Sequence, residues 1–394
     1  MKIVFVNPVG AIGGAERALL TIMAALLNTK PDMQIYLIAG TDGSLIGQAE
    51  KLGVEVKVLK LPEEFNQLGD SALRGNSKVA AGMKLLFQLV SLVPSLWRYI
   101  NEFRQIIKLL KPDLIHTNGI KANLITALAG VKDIPVIWHI QDFYGARPVV
   151  ARVLRWASKR ATSAIAISQS VAQDAKATLP GLPIEVIYSA IDINYFSPHP
   201  SSSHLPLRVG LVATFARWKG HDIFLEAASE IIKNHPHLNV RFCIVGGAIY
   251  KTRGSQFSEQ ELKDKATHLN IADKVDFLGF QQDIAEIYRS LDIVVHASTQ
   301  PEPFGLAIVE AMACGKPVIV SQAGGAAELF THNHDAVGVS PGEPKALAAA
   351  ILDLLNNPEK RQLLSEQARH TVTKRFSHER LGEQILAVYT LLIA

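Results

Sequence analysis

Short apolar runs rich in Val and Ile alternate with longer amphipathic segments from one end of the chain to the other. Runs of this kind, separated by helical patterns, are typical of parallel β-sheets covered by helices on both faces. The runs are KIVFVN, QIYLIA, VEVKVL, DLIHTN, PVIWHI, SAIAIS and IEVIYS in the first half, and LRVGLVAT, VRFCIVGG, KVDFLG, DIVVHAS and KPVIVS in the second. The pattern predicts the α/β fold class, with two doubly wound parallel sheets.

The two groups of strands are separated by YFSPHPSSSHLPL, where Pro, Ser and His accumulate without apolar periodicity. This is linker composition. We therefore predict a first domain over residues 1–195, a linker over 196–207 and a second domain over 208–376. The last segment, 377–394, has a helical pattern with no strand after it. It must pack on structure already formed, and we assign it to the first domain.

The composition is that of an ordinary globular protein. The 394 residues exceed what one hydrophobic core usually supports, and 48% hydrophobic against 19% charged residues excludes a disordered chain. A net charge of +4 permits attraction to phosphate groups or to an anionic membrane, but it is no signature of nucleic-acid binding. Cys243 and Cys314 lie in apolar runs, as expected for small buried residues in a reducing compartment.

Neither export nor a membrane span is predicted. The N-terminal MKIVFVNPVG has too short an apolar run for a signal peptide and is better explained as a first strand. The most apolar long segment, 79–94, is interrupted by Lys84 and Gln88 and falls short of the roughly 20 residues that a span needs. We therefore expect a cytoplasmic protein.

The first predicted strand leads into a glycine-rich segment, NPVGAIGGAERALL. Gly13 and Gly14 allow close approach of a ligand, and a helix expected to start near Ala15 would direct its free N–H groups toward it. The spacing is neither G-x-G-x-x-G nor that of a P-loop. Glu16, directly after the doubled glycine, favours an anionic or sugar ligand. A plain glycine turn between strand and helix is the alternative.

The segment GLVATFARWKGHD places cations after the first strand of the second domain. Arg217, Lys219 and His221 crowd the turn between a strand ending near Thr214 and the helix that follows. Two fixed cations at a helix N-terminus make a phosphate site that combines point charge with backbone donors. A surface charge pair is the alternative, because Lys and Arg are common on loops.

The segment PEPFGLAIVEAMACGKPVIV combines an apolar pattern with two carboxylates, Glu302 and Glu310. Glu is almost never fully buried unless it is paired. We predict a helix that begins near Phe304 or Gly305 and runs through Cys314, with its first N–H groups forming an anion cradle. Glu302 would lie before the cradle and Glu310 about two turns along the helix. Two unrelated solvated glutamates are the alternative, which the apolar surroundings disfavour.

Together these motifs resemble a known family. E-P-F-G-L-x-x-x-E at 302–310, K-G at 219–220, G-G-A-E at 13–16 and G-G-x-x-E at 324–328 are similar to the pattern of glycosyltransferase family 4. The resemblance covers essentially the whole chain, and its most specific part is the pair of glutamates with the upstream Lys. It implies the GT-B fold, with two Rossmann-like domains facing across a cleft, and a retaining reaction that uses a nucleotide sugar.

The resemblance also implies roles for residues at matching positions. Glu302 would hydrogen-bond hydroxyls of the donor sugar, and Glu310 those of the ribose. Lys219 and Arg217 would neutralise the leaving phosphates, and the loop around Phe280 would hold the base. The other residues of the implied donor site are Gly13, Gly14, Thr214, Phe304, Gly305, Leu306 and Ala307.

The first domain departs from the family pattern at its histidines. Many relatives end the strand DLIHTN with H-x-H, whereas this chain reads H-T-N from His116. A common His-Asp after the next strand is Gln141–Asp142 here, with His139 two places earlier. His116 is the candidate catalytic histidine, and a structural strand histidine is the alternative, as it is for His139. The candidates for the acceptor side are Glu16, Asn118, His139 and Asp142.

A reaction without metal or cofactor is expected, because the sequence has no D-x-D motif and no His/Asp/Glu cluster with metal-ligand spacing. Lys219, Arg217 and helix N-termini would stabilise the leaving diphosphate electrostatically. A front-face route, in which the departing phosphate takes the acceptor's proton, fits retention without a strong protein base. Closure of the two domains would assemble the site.

The donor is expected to be a UDP-sugar such as UDP-glucose, on family frequency, with UDP as product. The acceptor would be a saccharide or a lipid-linked hydroxyl in polysaccharide, cell-envelope or glycolipid biosynthesis. Residues 70–111 combine an apolar run with cations that suit peripheral contact with an anionic membrane, and two ordinary packed helices are the alternative. The cations are Arg74, Lys78, Lys84, Arg98, Arg104, Lys108 and Lys111.

Three rival functions share the predicted fold. A nicotinamide-dependent oxidoreductase is disfavoured, because no G-x-G-x-x-G follows the first strand. A sugar epimerase or phosphorylase keeps the fold with different chemistry. Because the histidines of the first domain depart from the family pattern, a catalytically silent sugar- or nucleotide-binding subunit also remains an open alternative.

Overall fold

The structure is a computed structural model of the chain. The residues that it describes, with the side chains of 66–92 excepted, are 1–67, 78–199, 205–248 and 254–393. They form two compact units, which we call unit 1 (Met1–Ala190 with His378–Ala394) and unit 2 (Ile191–Ser377). Each unit is built on a parallel sheet, so the predicted α/β class with two parallel sheets is confirmed.

Unit 1 alternates strands and helices. Its strands are β1 (Lys2–Asn7), β2 (Gln34–Ala39), β3 (Glu55–Val58), β4 (Leu114–Asn118), β5 (Val136–Ile140), β6 (Ser163–Ala166) and β7 (Ile184–Val186). Its helices are α1 (Gly14–Thr29), α2 (Ser44–Lys51), α3 (Glu63–Gln67), α4 (Lys78–Leu110), α5 (Ile120–Ala129), α6 (Pro148–Ala157), α7 (Gln169–Thr178) and the C-terminal α14 (His378–Ile393). The strand order is β3-β2-β1-β4-β5-β6-β7.

Unit 2 repeats the alternation. Its strands are β8 (Leu207–Val212), β9 (Val240–Val245), β10 (Val275–Gly279), β11 (Ile293–His296), β12 (Val318–Ser321) and β13 (Val337–Val339). Its helices are α8 (His221–Asn234), α9 (Glu259–His268), α10 (Ile284–Ser290), α11 (Leu306–Ala313), α12 (Pro344–Asn356) and α13 (Pro358–Arg375). The strand order is β10-β9-β8-β11-β12-β13.

Each sheet reverses its strand order beside its first strand. In unit 1, β1 pairs with β2 on one side and β4 on the other, and in unit 2, β8 pairs with β9 and β11. In open parallel sheets, ligands bind beyond the carboxyl ends of the strands at this switch point. The fold therefore places Asn7 and Asn118 at the switch point of unit 1, and His296 at that of unit 2.

The strands that the sequence predicts are all present, but several end earlier than predicted. The run SAIAIS stops being a strand at Ala166, because Ser168 caps α7 by accepting a 3.1 Å hydrogen bond from the Val171 N–H. Strand β13 was not predicted, because three residues carry no periodicity that distinguishes a strand from a loop. Unit 2 begins at Ile191, before the predicted boundary at 195, and the guanidinium of Arg369 holds that segment through backbone carbonyls.

The C-terminal helix packs along α1, as its apolar pattern requires. Ile385 and Tyr389 are buried in the core of unit 1. The two helices approach closely at Gly382, where a Cβ would lie 2.2 Å from Thr29 Oγ1 and 2.6 Å from the Ala25 carbonyl oxygen. A larger residue there would force the helices apart.

The basic segment predicted at 70–111 is described only in part. Arg74 and the side chains of Lys78 and Lys84 lie outside the described residues, as do linker residues 200–204. Among the helices that the structure describes, none is long and apolar enough to cross a membrane.

Candidate active site

A buried carboxylate, that of Glu302, lies just beyond the carboxyl end of β11. Its backbone forms an isolated parallel bridge with Gly324, and its carbonyl accepts a 2.7 Å hydrogen bond from the Gly325 N–H. Gly324 has a φ of +65°, and a Cβ there would lie 2.6 Å from the Glu302 carbonyl oxygen. The G-G-x-x-E segment therefore fixes the backbone of Glu302, because this φ and this approach together require glycine.

Three side chains converge on one oxygen of this carboxylate. Its Oε2 lies 2.6 Å from Lys219 Nζ, 3.1 Å from Ser298 Oγ and 3.2 Å from His296 Nε2. Burial alone would raise the pKa of Glu302, but the Lys219 charge and the His296 hydrogen bond outweigh burial and lower the pKa to about 2. Glu302 is therefore ionised at neutral pH. His296 and Ser298 were not predicted, and their only signal is a His-x-Ser at the end of a strand.

The turn that carries Lys219 is held against the same strand end. Arg217–Lys219 form one turn of 3₁₀ helix, followed by Gly220 with a φ of +75°. A Cβ on Gly220 would lie 1.9 Å from the carbonyl oxygen of Ala297, so this contact requires glycine. The contact brings together Lys219 and Glu302, two of the predicted site residues, from positions 83 residues apart.

The second predicted cation, Arg217, makes different contacts. Its guanidinium pairs with Glu261 at 2.7 Å and lies 4.3 Å from the ring centroid of Phe257. Glu261 closes a capping box with Ser258 at the start of α9. The structure thus ties Arg217 to α9 and does not place it with Lys219 on Glu302.

Helix α11 starts four residues after Glu302. Gly305 precedes it with a φ of +108°, and the helix ends at Ala313, one residue before the predicted end. A helix leaves the N–H groups of its first turn without partners inside the helix, and its N-terminus carries partial positive charge. The N–H groups of Leu306 and Ala307 therefore lie at a helix start directly after the Glu302 loop, where the predicted anion cradle would be.

Glu310, on α11, is buried and accepts a 2.9 Å hydrogen bond from the Tyr288 hydroxyl of α10. The two glutamates thus have different partners, an ammonium group for Glu302 and a phenol for Glu310. The apolar segment contains two carboxylates because each has a hydrogen-bond donor built into a neighbouring element.

The predicted aromatic residues differ in exposure. Phe280, in the loop after β10, is 64% exposed, as a side chain available to a flat base would be. Phe304 is buried and packs edge-on against Phe376 at 5.8 Å between ring centroids, so its ring anchors the Glu302 loop in the core of unit 2. Thr214 is half-buried, two residues beyond the end of β8.

In unit 1, three side-chain amides form a chain across the switch point. Gln141 Nε2 donates to Asn118 Oδ1, and Asn118 Nδ2 donates to Asn7 Oδ1 at 2.7 Å. Asn7 Nδ2 donates in turn to the Val9 carbonyl at 2.5 Å and to Glu16 Oε1 at 3.5 Å. The chain links the ends of β1, β4 and β5 to the glycine-rich loop. Asn7 and Gln141 were not predicted, since a carboxamide at a strand end is a weak signal.

The predicted acceptor-side carboxylates have partners of their own. Glu16 Oε2 accepts a 3.0 Å hydrogen bond from the Gly13 N–H and closes a capping box on α1. Glu16 thus serves the helix start, and Gly14 is the first, exposed residue of that helix. Asp142 pairs with Arg147 at 2.8 Å.

His116 and His139 lie inside the core of unit 1. His116 Nδ1 is 2.5 Å from the Tyr389 hydroxyl, and His116 Nε2 is 3.1 Å from His139 Nδ1. Burial lowers the pKa of His139 to about 4 and that of His116 well below its usual range, so both rings are neutral at pH 7. This burial gives His116 a structural role and speaks against the predicted catalytic one.

Among the described residues, no group of three or more His, Cys, Asp or Glu side chains is arranged to hold a metal ion. The expected metal-independent reaction stays a prediction.

Solved structures with the same architecture define the class of the fold. Anabaena HepE in complex with UDP has 26% identity and a TM-score of 0.80, covering 99% of this chain and 100% of its own. HepE in complex with UDP-glucose has 27% identity and a TM-score of 0.79, and the match covers 99% of this chain and 100% of HepE. Sucrose-phosphate synthase from Thermosynechococcus elongatus, at 20% identity, a TM-score of 0.76 and coverage of 100% and 99%, shows the fold alone. The chain has the GT-B fold.

Two family models match the chain in succession. The model described as Glycosyltransferase Family 4 matches residues 12–195, and the model described as Glycosyl transferases group 1 matches residues 203–371. The chain belongs to glycosyltransferase family 4, as the motifs predicted.

Curated relatives match part of their length. Spore coat protein SA of Bacillus subtilis is 30% identical over 228 residues, which are 52% of this chain and 58% of the relative. A D-inositol 3-phosphate glycosyltransferase of Segniliparus rotundus is 29% identical over 286 residues, which are 70% of this chain and 60% of the relative. In both alignments the chain spans less than two thirds of the relative.

Proposed function

We propose that the chain is a retaining hexosyltransferase that moves a sugar from a UDP-hexose, UDP-glucose first among them, to a hydroxyl acceptor. The observation that carries this proposal is the largely buried ion pair between Lys219, in the turn before α8, and Glu302, in the loop before α11. The pair joins two strand-end loops of unit 2, and the second of these loops also leads into the N–H groups at the start of α11. The HepE structures, solved with UDP and with UDP-glucose, support the choice of nucleotide and sugar.

The leaving group is the diphosphate of the donor. Lys219 and the first-turn N–H groups of α11 stabilise the negative charge that develops on it as the bond to the sugar breaks. Both are fixed before the ligand arrives, since Gly220 and Gly305 hold their turns in left-handed conformations. Stabilisation of this kind needs no rearrangement during the reaction.

Glu302 orients the sugar. A carboxylate with a pKa of about 2 is a poor proton acceptor at neutral pH but a strong hydrogen-bond acceptor, so it suits sugar hydroxyls rather than general-base catalysis. The bond from the sugar C1 to the phosphate oxygen breaks, and the acceptor oxygen bonds to C1 on the same face. The acceptor's proton passes to the departing phosphate oxygen, so that no protein base takes part.

The rest of the donor has matching groups in unit 2. Glu310, held by the Tyr288 hydroxyl, accepts hydrogen bonds from the ribose hydroxyls. The exposed Phe280 loop takes the base. The acceptor is a saccharide or lipid-linked hydroxyl, and we place it at the end of the amide chain of unit 1, where the partly exposed Gln141 has a donor and an acceptor that suit a polyhydroxyl ligand.

The test is hydrolysis and transfer from a panel of UDP-, GDP- and ADP-sugars by the purified chain. UDP release from UDP-glucose is expected, with the first-formed glucose having the donor's anomeric configuration by proton NMR. Glu302→Gln should lower the rate of release about a hundredfold, while Glu226→Gln, a glutamate in a partly exposed ion pair of the same unit, should leave it unchanged.

The rival functions give different results in the same assay. An epimerase would change the sugar without releasing UDP, and a phosphorylase would require inorganic phosphate. Binding of UDP without turnover of any donor would identify a silent subunit, and inversion of the anomeric carbon would overturn the retaining reaction.

A further inference from the structure

Helix α6 of unit 1 presents a row of apolar side chains to solvent. Val149, Val153 and Trp156 are 57%, 43% and 47% exposed, and their spacing of i, i+4 and i+7 places them on one face. Leu154 and Ala157 anchor the helix to the unit from its other side. Single exposed apolar residues are ordinary, but a row of three on one helix face marks a contact surface.

Cations surround this row. The sequence has no Asp or Glu between Asp142 and Asp174. The Arg160 guanidinium lies 5.0 Å from the centroid of the Trp156 ring. The exposed cations of α6 and of the turn that follows it are Arg152, Arg155, Lys159 and Arg160. We call the surface formed by these four cations together with Val149, Val153 and Trp156 the α6 face.

The neighbouring elements do not neutralise the α6 face. Helix α5, which contacts α6, carries no acid. Helix α7 carries one, Asp174, and its carboxylate accepts hydrogen bonds from the Tyr144 and Gly145 N–H groups at 2.6 Å and 3.1 Å. The α6 face is therefore both apolar and positive.

We propose that the α6 face docks on an anionic lipid membrane. Trp and Val beside Arg and Lys make the composition of an interfacial helix, in which the apolar side chains enter the headgroup boundary and the cations meet lipid phosphates. A second copy of the chain is a poor occupant, because a two-fold contact would bring like charges together and three apolar residues fall far short of a stable interface. A nucleic acid would use the cations but leave the apolar row unsatisfied.

Docking through α6 narrows the class of acceptor, an extension that rests on the proposed function. The helix follows the loop that leaves the end of β5, and the Asp142–Arg147 pair ties its start to the residue beside Gln141. A membrane on the α6 face therefore lies next to the amide chain of unit 1. The acceptor hydroxyl belongs to a lipid-linked molecule in that membrane.

The test is flotation of the full chain with vesicles of phosphatidylcholine alone and of phosphatidylcholine with phosphatidylglycerol. Arg152→Gln with Lys159→Gln should lower partitioning onto the anionic vesicles by about fivefold for each cation removed. Val153→Ser with Trp156→Ser should lower it at unchanged charge. Matched controls in unit 2, at exposed positions, are Lys345→Gln with Lys374→Gln and Leu363→Ser, and they should float like the wild type.

Several results would overturn the docking proposal. These are equal flotation with neutral and anionic vesicles, no flotation, or α6 variants that float like the controls. A wild-type dimer that Val153→Ser with Trp156→Ser converts to a monomer would assign the α6 face to a second copy. UDP-glucose hydrolysis without vesicles separates the two proposals: hydrolysis without flotation removes docking alone, and flotation without hydrolysis removes the proposed function alone.

Discussion

Replacing Lys219 with Met removes the cation from a carboxylate of which only 10% is exposed. Breaking a buried ion pair from one side costs about 3–5 kcal/mol, because the remaining charge stays desolvated. Lys219 is itself 20% exposed, so water recovers part of the loss, and we expect about 3 kcal/mol. In a unit of this size that loss lowers the melting temperature by about 6–12 °C.

A double-mutant cycle isolates the pair. Lys219→Met, Glu302→Gln and the double variant are compared by urea unfolding, and we expect a coupling free energy of about 2 kcal/mol. The matched control is the Lys265–Glu226 pair, which has the same 2.6 Å separation but side chains that are 29% and 41% exposed. Its coupling free energy should be below about 1 kcal/mol.

The same variants separate a functional pair from a structural one by their affinity for UDP. Lys219→Met should weaken UDP binding about tenfold to hundredfold, the equivalent of a lost charge-assisted hydrogen bond. Lys265→Met should leave UDP binding unchanged in titration calorimetry. If Lys219→Met loses stability as expected but binds UDP like the wild type, the pair is structural and Lys219 does not bind the diphosphate.

The buried histidines, the Tyr389 hydroxyl and the metal requirement can each be tested separately. Burial lowers the pKa of His139 from 6.5 in the unfolded chain to about 4 in the folded protein. Between these values only the unfolded chain binds a proton at this ring, so the free energy of unfolding of unit 1 should fall as pH falls from 6.5 toward 4. Thermal unfolding across that range should show the loss, and His139→Asn should make the profile shallower, with His116 accounting for the remainder. A profile that His139→Asn leaves unchanged would contradict this. Tyr389→Phe leaves His116 without its hydroxyl partner and should cost about 1–3 kcal/mol in urea unfolding, whereas wild-type stability would show that the hydroxyl contributes nothing. Donor turnover in EDTA should equal turnover with Mg²⁺, and a strict metal requirement would contradict the metal-independent mechanism.

Local patterns predicted much of the fold. The Val- and Ile-rich runs marked the strands, and the prediction for α11 was nearly complete because proline, glycine and apolar periodicity all lie within one segment. The motifs around Lys219 and Glu302 also led to side chains that meet in the structure.

The sequence patterns did not predict contacts between distant segments of the chain. His116 resembled a strand-end residue open to ligand, but Tyr389, 273 positions away on α14, buries it. Arg217 resembled a phosphate ligand, but it pairs with Glu261, 44 positions away. A pattern records the type and spacing of residues. The roles of His116 and Arg217 depend instead on which side chain from a distant segment packs against each of them.

Turnover of UDP-glucose by Glu302→Gln measures whether Glu302 orients the donor sugar. We predict a fall in kcat of about a hundredfold, because the sugar loses a fixed hydrogen-bond acceptor. UDP affinity should stay within about threefold of the wild type, because Lys219 and the start of α11 remain. A Glu302→Gln enzyme with the kcat of the wild type would show that Glu302 does not orient the sugar.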